Sequence, residues 1–381
     1  MKNLATLRSS FTRILGGLSF LAGMLTASTT VHAAPPPGVL NMDHPGIQTV
    51  KALQDRVTPE VMSWPSVLGT AIGLSDNDAE LALVVYVERD GPSVAEVVRA
   101  FPPRLLGTAV RIELTEKFSI RAGKPGGPGK PGGGGGSSLD HKGIQSQPIR
   151  LGTSGGWSFD LANGYCCGGT LGSLVEIGGV QHIMSNYHVL EADIAGGGNG
   201  RTAQTGDPVI QPGLIDVGCD ADSAQHVGTL VLKHSLPMSN VDVSVARVID
   251  GAVSADGAIL GIGTLSSQTV GASLNQPVKK SGRTTGLTRS KVSGLNASVS
   301  VTYDDECAGG TAFTKTYTGQ IVISNRRSGF LAGGDSGSLM VEDVESNPRA
   351  VGLLYAGSST SAIANPIGQV LEFLNATMVG N

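Results

Sequence analysis

A glycine-rich turn with one serine at its apex is the stretch of this sequence best suited to chemistry. Residues 333–338 read Gly-Gly-Asp-Ser-Gly-Ser, and a short apolar run follows them. A serine hydroxyl becomes a good nucleophile only beside a general base, with backbone donors placed for the oxyanion. Glycines around Ser336 permit close approach of a carbonyl substrate and the dihedrals that inward-pointing N–H groups need. Because this composition also suits an ordinary turn, predicting a nucleophile here requires a histidine and an aspartate elsewhere.

Both partners stand upstream of the turn. His188 follows an apolar run that ends in a turn, and Asp242 lies in residues 240–248, where valines alternate with polar or small residues. That alternation is typical of a β-strand. A carboxylate in such a strand is costly to bury without a partner, and an imidazole suits it because the aspartate holds the imidazole tautomer and stabilises the imidazolium. The sequence therefore predicts Ser336 as nucleophile, His188 as general base and then acid, and Asp242 as the orienting group.

The order His188, Asp242, Ser336 resembles that of the chymotrypsin-like (trypsin-fold) serine proteases, in particular their secreted bacterial members. Five motifs carry the resemblance: residues 185–188 resemble the family's T-A-A-H segment, 242–246 its D-I-A-L-L segment, 334–337 its G-D-S-G turn, 167–171 its C-G-G-S-L strand, and 280–286 the S-G-x-T-T-G hairpin of bacterial members. The resemblance covers about residues 145–381. It implies two six-stranded β-barrels with the active site between them.

The same resemblance implies further site residues. The backbone N–H groups of Gly334 and Ser336 would form the oxyanion hole. Phe330 would lie at the base of the pocket for the side chain on the acyl side of the cut. Because no acid stands there, the resemblance suggests an apolar pocket rather than one for Lys or Arg. Tyr355 and Gly357 would belong to the strand that pairs with the substrate backbone.

Asp335 corresponds to the family's buried acid that supports the nucleophile turn. In zymogen-activated members this acid pairs with a freed Ile-Val-Gly-Gly terminus, and no such sequence begins the domain. Two alternatives stay open: an internal base pairs with Asp335, or that role is absent.

The four cysteines of the chain are predicted to form disulfides, because an exported chain with an even number favours them. They are Cys166, Cys167, Cys219 and Cys307. Adjacent cysteines rarely bond each other, so we expect Cys166 and Cys167 each to pair with one of the other two, in an order left open. The family's pairings do not carry over, because Val189 and Ala332 occupy two of its usual cysteine positions.

Three other interpretations compete for these residues. The four cysteines form a candidate zinc site, which their irregular spacing and an oxidising compartment disfavour. Acidic residues at 216, 220 and 222 and at 304–306 form candidate calcium sites, although solvated loops explain them more simply. Residues 152–156 fit the G-x-S-x-G pattern of α/β-hydrolases, which requires a following helix and the order Ser, Asp, His. We therefore expect no metal and no α/β-hydrolase site.

Residues 1–33 are predicted to be a secretory signal peptide. They contain a positively charged start, an apolar centre and a small-residue cleavage site that ends at Ala33. A membrane anchor is the alternative, but the apolar run is shorter than a bilayer requires. The prediction is therefore a secreted protein, extracellular or periplasmic, without stable membrane insertion.

The rest of the chain divides into three parts. Residues 41–121 alternate helical and strand patterns and predict a small α+β module, which is either a structural or binding module or a pro-region that assists folding or blocks the protease cleft. Residues 122–144 are a Gly/Pro-rich linker whose few triplets are too short for a collagen helix. Residues 145–381 predict an all-β domain of many short strands, with a closing helix that Asn365 caps and Pro366 begins.

Taken together, the sequence predicts an all-β, trypsin-like double barrel preceded by an α+β module, acting as a secreted serine endopeptidase. Its substrates would be polypeptides, and it would need no cofactor. The net charge of −4 and the lack of a basic patch with interleaved aromatics argue against a nucleic-acid partner. The alternative is a catalytically inactive, protease-like binding protein.

Overall fold

The structure is a computed structural model that describes residues 39–120, 139–162, 165–191, 201–303, 313–326 and 328–381. The predicted signal peptide and most of the predicted linker lie outside these ranges. Among the described residues, no helix is both long and apolar enough to cross a membrane.

The N-terminal module has the predicted α+β composition. Its elements are α1 (Pro45–Val61), β1 (Val67–Leu74), β2 (Leu81–Glu88), α2 (Val94–Ala100), β3 (Arg104–Leu105), β4 (Thr108–Thr115) and β5 (Phe118–Ile120). Helix α1 begins at a proline that suits the first helical position, and its buried residues recur at helical spacing. Ser93 precedes α2, and its side chain makes no capping hydrogen bond.

The C-terminal part consists mainly of strands. Its elements are β6 (Thr153–Trp157), β7 (Leu161–Ala162), β8 (Tyr165–Cys166), β9 (Gly169–Leu171), β10 (Ser173–Ile177), β11 (Val180–Ser185), α3 (Tyr187–Leu190), β12 (Pro208–Gln211), two 3-10 turns (Leu214–Asp216 and Ala221–Ser223), β13 (Gln225–Val231), β14 (Ser244–Val248), β15 (Pro277–Gly282), β16 (Gly286–Tyr303), β17 (Phe313–Ser324), β18 (Leu339–Glu342), β19 (Ala350–Gly357), β20 (Ser361–Pro366), α4 (Ile367–Leu374) and β21 (Thr377–Met378).

The first curled sheet runs in the order β21–β10–β11–β14–β13–β12–β6–β9. Only Gly172 separates β9 from β10, and its N–H donates to the Met184 carbonyl of β11 at 2.9 Å. The sheet therefore curls back on itself as a barrel. The two strands β10 and β11 form a hairpin, with Ser173 opposite Met184. The interior is filled by fully buried aliphatic side chains such as Leu174, Ile183 and Val245.

The second curled sheet runs in the order β15–β18–β19–β20–β17–β16, and an additional β15–β16 pairing closes the ring. Its interior holds buried apolar side chains from several strands, including Val292, Ile323 and Leu354. Two curled sheets followed by a C-terminal helix confirm the predicted fold class.

The start of the closing helix differs from the prediction. Pro366 is the cap of α4 and Ile367 its first residue, while Asn365 lies at the end of β20. The Asn365 side chain instead accepts a hydrogen bond from the Asp242 N–H at 2.9 Å and donates to Gln320 at 2.7 Å. The Asn365 side chain, predicted to cap the helix, thus makes buried tertiary hydrogen bonds instead.

The N-terminal module is continuous with the second barrel. Strand β1 pairs antiparallel with β16, placing Gly69 opposite Val299, so that the sheet continues through β16, β1, β2, β4 and β3. Gln54 of α1 donates to the Asn296 carbonyl at 2.8 Å, and the Asn296 amide donates back to Gln54 at 2.9 Å. Strand β5 lies apart from this edge and pairs with both β16 and β19.

Candidate active site

The histidine and aspartate predicted from the sequence lie in contact. His188 lies in α3, the short helix that follows β11, and Asp242 lies just before β14 rather than inside it. His188 Nδ1 and Asp242 Oδ2 are 2.7 Å apart, and both side chains are fully buried. This contact holds the imidazole in one orientation, with Nε2 on the far side of the ring.

The Asp242 carboxylate receives hydrogen bonds from three directions. Besides His188, the Tyr187 backbone N–H donates to Oδ1 at 2.7 Å and the Tyr303 hydroxyl donates to Oδ2 at 2.8 Å. A buried carboxylate is stable only when such donors replace its lost hydration. These donors account for a fully buried acid at this position.

Tyr303 was not predicted from the sequence. It ends β16, and its hydroxyl also contacts that of Tyr317 on β17. Burial, together with the nearby negative charge of Asp242, raises the pKa of Tyr303 well above its usual value. The phenol therefore stays protonated and donates to the carboxylate. Only the hairpin of β16 and β17 brings it there, so no local motif could have revealed it.

Ser336 is fully buried, and its hydroxyl makes no hydrogen bond to His188. Ser336 Oγ donates to the Tyr355 carbonyl at 3.1 Å. The Nε2 atom of His188 is buried and has no hydrogen-bond partner among the described residues. The structure thus forms the His188–Asp242 contact but not a Ser336–His188 hydrogen bond.

The glycine-rich turn that carries Ser336 is held by hydrogen bonds to its carbonyl groups. Thr284 Oγ1 donates to the Gly333 carbonyl at 2.6 Å, and Thr170 Oγ1 donates to the Gly334 carbonyl at 2.9 Å. Gly334 has a φ of +94°, and a Cβ there would lie 2.6 Å from Arg283 Nη1, so glycine is required. Neither the Gly334 nor the Ser336 N–H donates to another described residue, which leaves both available for an oxyanion.

Asp335 pairs with an internal base, which decides between the two alternatives that the sequence left open. Lys280 Nζ lies 3.1 Å from Asp335 Oδ2, and both side chains are fully buried. Thr284 and Ala332 also donate backbone N–H groups to the carboxylate. Burial alone favours the neutral acid, but the Lys280 charge and these hydrogen bonds outweigh it and lower the pKa of Asp335. The ion pair anchors the turn directly beside Ser336.

The predicted substrate-binding residues have different surroundings. Phe330 is fully buried in the second barrel's core, and its carbonyl accepts from Thr288 at 2.9 Å. Tyr355 contacts Ser336 through its carbonyl, and Gly357 pairs with Ser119 of β5. Tyr355 and Gly357 therefore lie on a strand edge beside Ser336, and the role of Phe330 as a pocket base stays a prediction.

Strand β5 of the N-terminal module covers this strand edge. Phe118 and Ile120 are buried, and they belong to the same apolar cluster as Tyr187 and Tyr355. Just before β5, Glu116 accepts hydrogen bonds from the Ser359 N–H and hydroxyl. The candidate site is therefore enclosed by a segment of the same chain.

The metal interpretations receive no support. Asp216, a candidate calcium ligand, instead forms a two-pronged ion pair with Arg283, at 2.5 and 2.6 Å. Within the described residues, no group of three or more acidic, histidine or cysteine side chains is arranged to hold a metal ion. The acidic residues 304–306 lie outside the described ranges.

The three cysteines that the structure describes are disulfide-bonded, as predicted. Cys166 is bonded to Cys219. Cys167 is also disulfide-bonded, and Cys307 lies outside the described residues. The G-x-S-x-G match at residues 152–156 lies at and within strand β6, so the strand–turn–helix of an α/β-hydrolase is absent there.

Comparison with known proteins gives partial matches. A family model named the Nal1 C-terminal domain matches residues 227–367, and no curated protein matches the chain.

Similar solved structures include three proteases. A glutamic acid specific serine protease described as using a histidine triad in substrate binding is 20% identical, with a TM-score of 0.38, covering 60% of this chain and 100% of its own. Thermobifida fusca protease A is 18% identical, with a TM-score of 0.38 and coverages of 61% and 99%. The α-lytic protease homolog N4 is 21% identical, with a TM-score of 0.36 and coverages of 60% and 98%. At these values the likenesses carry no functional argument.

Proposed function

We propose that this chain is a secreted serine endopeptidase that hydrolyses peptide bonds in polypeptides through an acyl-enzyme on Ser336. The observation that carries the proposal is the fully buried His188–Asp242 hydrogen bond of 2.7 Å. Burying a carboxylate and an imidazole costs free energy, whereas apolar side chains would fill the same space without that cost. The cost favours a functional role for the pair over a purely structural one. The nucleophile turn adds a serine with two unused backbone donors beside it.

In the proposed reaction, Ser336 first turns from the Tyr355 carbonyl toward His188 Nε2. Its Oγ attacks the substrate carbonyl carbon while its proton passes to Nε2, and Asp242 stabilises the resulting imidazolium. The Gly334 and Ser336 N–H groups stabilise the oxyanion. His188 then protonates the leaving amine, the C–N bond breaks, and water hydrolyses the acyl-enzyme by the same proton transfers in reverse. These steps need no cofactor.

The proposal includes the location and division of the chain. Residues 1–33 direct export and are removed, which leaves a protein outside the cytoplasm without stable membrane insertion. Residues 145–381 carry the reaction, residues 122–144 form the tether, and residues 41–121 act as an intramolecular inhibitor. Support for inhibition comes from β5, which covers the edge beside a Ser336 that is itself fully buried.

The second candidate is a non-catalytic protein that keeps the protease-like fold for binding. One observation favours it: Ser336 Oγ bonds the Tyr355 carbonyl instead of His188. Hydrogen bonds of catalytic groups are often unformed before substrate arrives, so this observation is weaker than the buried His188–Asp242 pair.

Covalent labelling with a fluorophosphonate tests the first candidate. The exported chain should be labelled and Ser336→Ala should not, because only an activated serine reacts. Ser336→Ala or His188→Ala should lower peptide turnover by on the order of 10⁶-fold, and Asp242→Ala by less. Ser328→Ala, an exposed serine near the same loop, is the matched control and should label normally. No labelling of the chain, even after residues 41–121 have been removed, would favour the binding protein.

A further inference from the structure

Strand β5 has a β-strand partner on each of its two edges. Ser119 lies opposite Thr302 of β16 in a parallel pairing and opposite Gly357 of β19 in an antiparallel pairing. Successive residues of a strand direct their N–H and C=O groups to opposite edges. A segment held in this way has backbone hydrogen bonds along both edges.

The two edges that hold β5 belong to the second barrel itself. Strand β16 is paired with β15 and β17, and β19 is paired with β18 and β20. Removing β5 would therefore leave two fixed strand edges one strand apart, beside Ser336. Both edges would present unpaired backbone groups, which favour a replacement strand.

The side chains of β5 alternate in their surroundings. Phe118 and Ile120 are buried in one apolar cluster with Tyr187 and Tyr355, which belong to residues 145–381. Ser119, between them, is only partly buried. One face of the slot is thus apolar and accepts alternate residues.

We propose that the substrate cleft is a two-edged slot that takes an extended polypeptide segment as a middle strand, parallel to β16 and antiparallel to β19. This inference rests on the proposed function and adds its substrate class. The substrate is an unfolded segment that carries apolar side chains at the alternate positions now held by Phe118 and Ile120. A segment that is already paired in a folded protein cannot enter the slot, because both of its backbone edges must be free to pair with β16 and β19.

Backbone N-methylation distinguishes a slot from a one-edged cleft. The probe is a fluorescein-labelled peptide with the sequence of residues 116–121, Glu-Lys-Phe-Ser-Ile-Arg, methylated in turn on the nitrogens at positions 119 and 120. In a slot, both adjacent N–H groups donate, so each methylation should weaken binding by about tenfold or more. In a one-edged cleft, one of the two N–H groups faces away from the edge, and its methylation should be tolerated.

The measurement uses the full chain with its own β5 weakened by Phe118→Asp, and the fluorescence anisotropy of the peptide reports binding. Ile120→Asp serves in its place if circular dichroism shows the first variant unfolded. Loss of binding on both methylations supports the slot. Loss on only one, or no binding of the unmethylated peptide, overturns it.

Fluorophosphonate labelling of the same sample separates this inference from the proposed function. Labelled Ser336 with methylation effects at one position only leaves a protease with an ordinary cleft. Effects at both positions without labelling leave a peptide-binding slot on a protein that is not a protease.

Discussion

At the scale of single residues, the surroundings of Asp242 depart most from what the motifs suggest. The Asp242 carboxylate accepts hydrogen bonds from the Tyr303 hydroxyl of a distant hairpin and from the backbone N–H of Tyr187, the residue before His188. A phenol that stays protonated at all working pH values is a constant donor to this acid. Tyr303 is therefore a positioning residue in the proposed reaction.

Tyr303→Phe should lower kcat by about 10- to 100-fold and leave KM nearly unchanged. A hydrogen bond to a charged group contributes about 1.5–3 kcal/mol, and this one bears on the orientation of His188 and not on substrate binding. Steady-state kinetics on a peptide substrate measure the effect. Tyr317→Phe, which keeps the bond to Asp242, is the control and should have the smaller effect. A rise in KM with unchanged kcat would contradict the positioning role.

Lys280→Met should destabilise the fold by about 3–5 kcal/mol at neutral pH, because it leaves the Asp335 carboxylate buried without its counter-ion. In the wild type the pKa of Asp335 is lowered by folding. The ionised Asp335 therefore stabilises the fold at every pH above its ordinary pKa, and this stabilisation is lost only as the pH falls through the lowered pKa. In the variant, uncompensated burial raises the pKa of Asp335. The deficit should then shrink as pH falls through that raised value.

Urea unfolding of wild type and Lys280→Met at several pH values measures this change. Lys279→Met is the matched control, since the Lys279 ammonium donates to the Val344 carbonyl at 2.5 Å and not to Asp335. A deficit for Lys280→Met that stays constant with pH would show that the ion pair does not control the titration of Asp335.

At the scale of elements, β5 is the segment on which the proposed inhibition depends. It is only three residues long, but it is fixed at its start by Thr115, whose hydroxyl lies 2.6 Å from that of Ser358. Its backbone pairs with β16 and β19, and its apolar side chains are buried beside them. A single charge on one of these buried side chains should displace so short a strand.

Phe118→Asp should increase the rate of fluorophosphonate labelling of Ser336 in the full-length chain by more than about tenfold. An unpaired carboxylate costs several kcal/mol in an apolar cluster, and this shifts the population toward the form in which β5 is displaced. Lys117→Asp, at the exposed neighbouring position, should change the rate little, since its surface ion pair with Glu88 contributes little. Equal labelling rates for the two variants would argue that β5 does not limit access.

At the scale of the whole molecule, the module and the second barrel share one sheet of 11 strands. The β1–β16 pairing joins residues far apart in sequence, and additional contacts such as the Arg326–Glu113 ion pair reinforce it. Such a surface keeps the module bound even where the tether is cut. Release then requires the removal or unfolding of the module.

Mass spectrometry of the secreted protein tests the removal of the module by the chain's own activity. The mature wild type should begin near residues 122–144, whereas Ser336→Ala should retain residues 41–121. A Ser336→Ala chain that is cut at the same place would assign the cut to another protease. A wild type that stays full-length would contradict the pro-region hypothesis.

How much the sequence determined depends on the range of the interactions involved. The alternation of valines near Asp242 and the glycines around Ser336 are local patterns, and they predicted a strand and a tight turn at these positions. The adjacent cysteines likewise limited the disulfides, and Cys166–Cys219 is one of the pairings left open. Local steric and hydrophobic preferences are written in neighbouring residues, so sequence alone reveals them.

Only the tertiary structure decided the contacts between distant segments. In the fold, Lys280 forms an ion pair with Asp335 and the Tyr303 hydroxyl donates to Asp242. The Asn365 side chain accepts from the Asp242 N–H instead of capping the helix. The fold also places β5 between two strand edges beside Ser336. Each of these contacts depends on which buried polar groups and strand edges meet when the barrels close, because a buried polar group requires a hydrogen-bond partner. The partner comes from a segment that is near in space but distant in sequence, so residue spacing along the chain does not predict it.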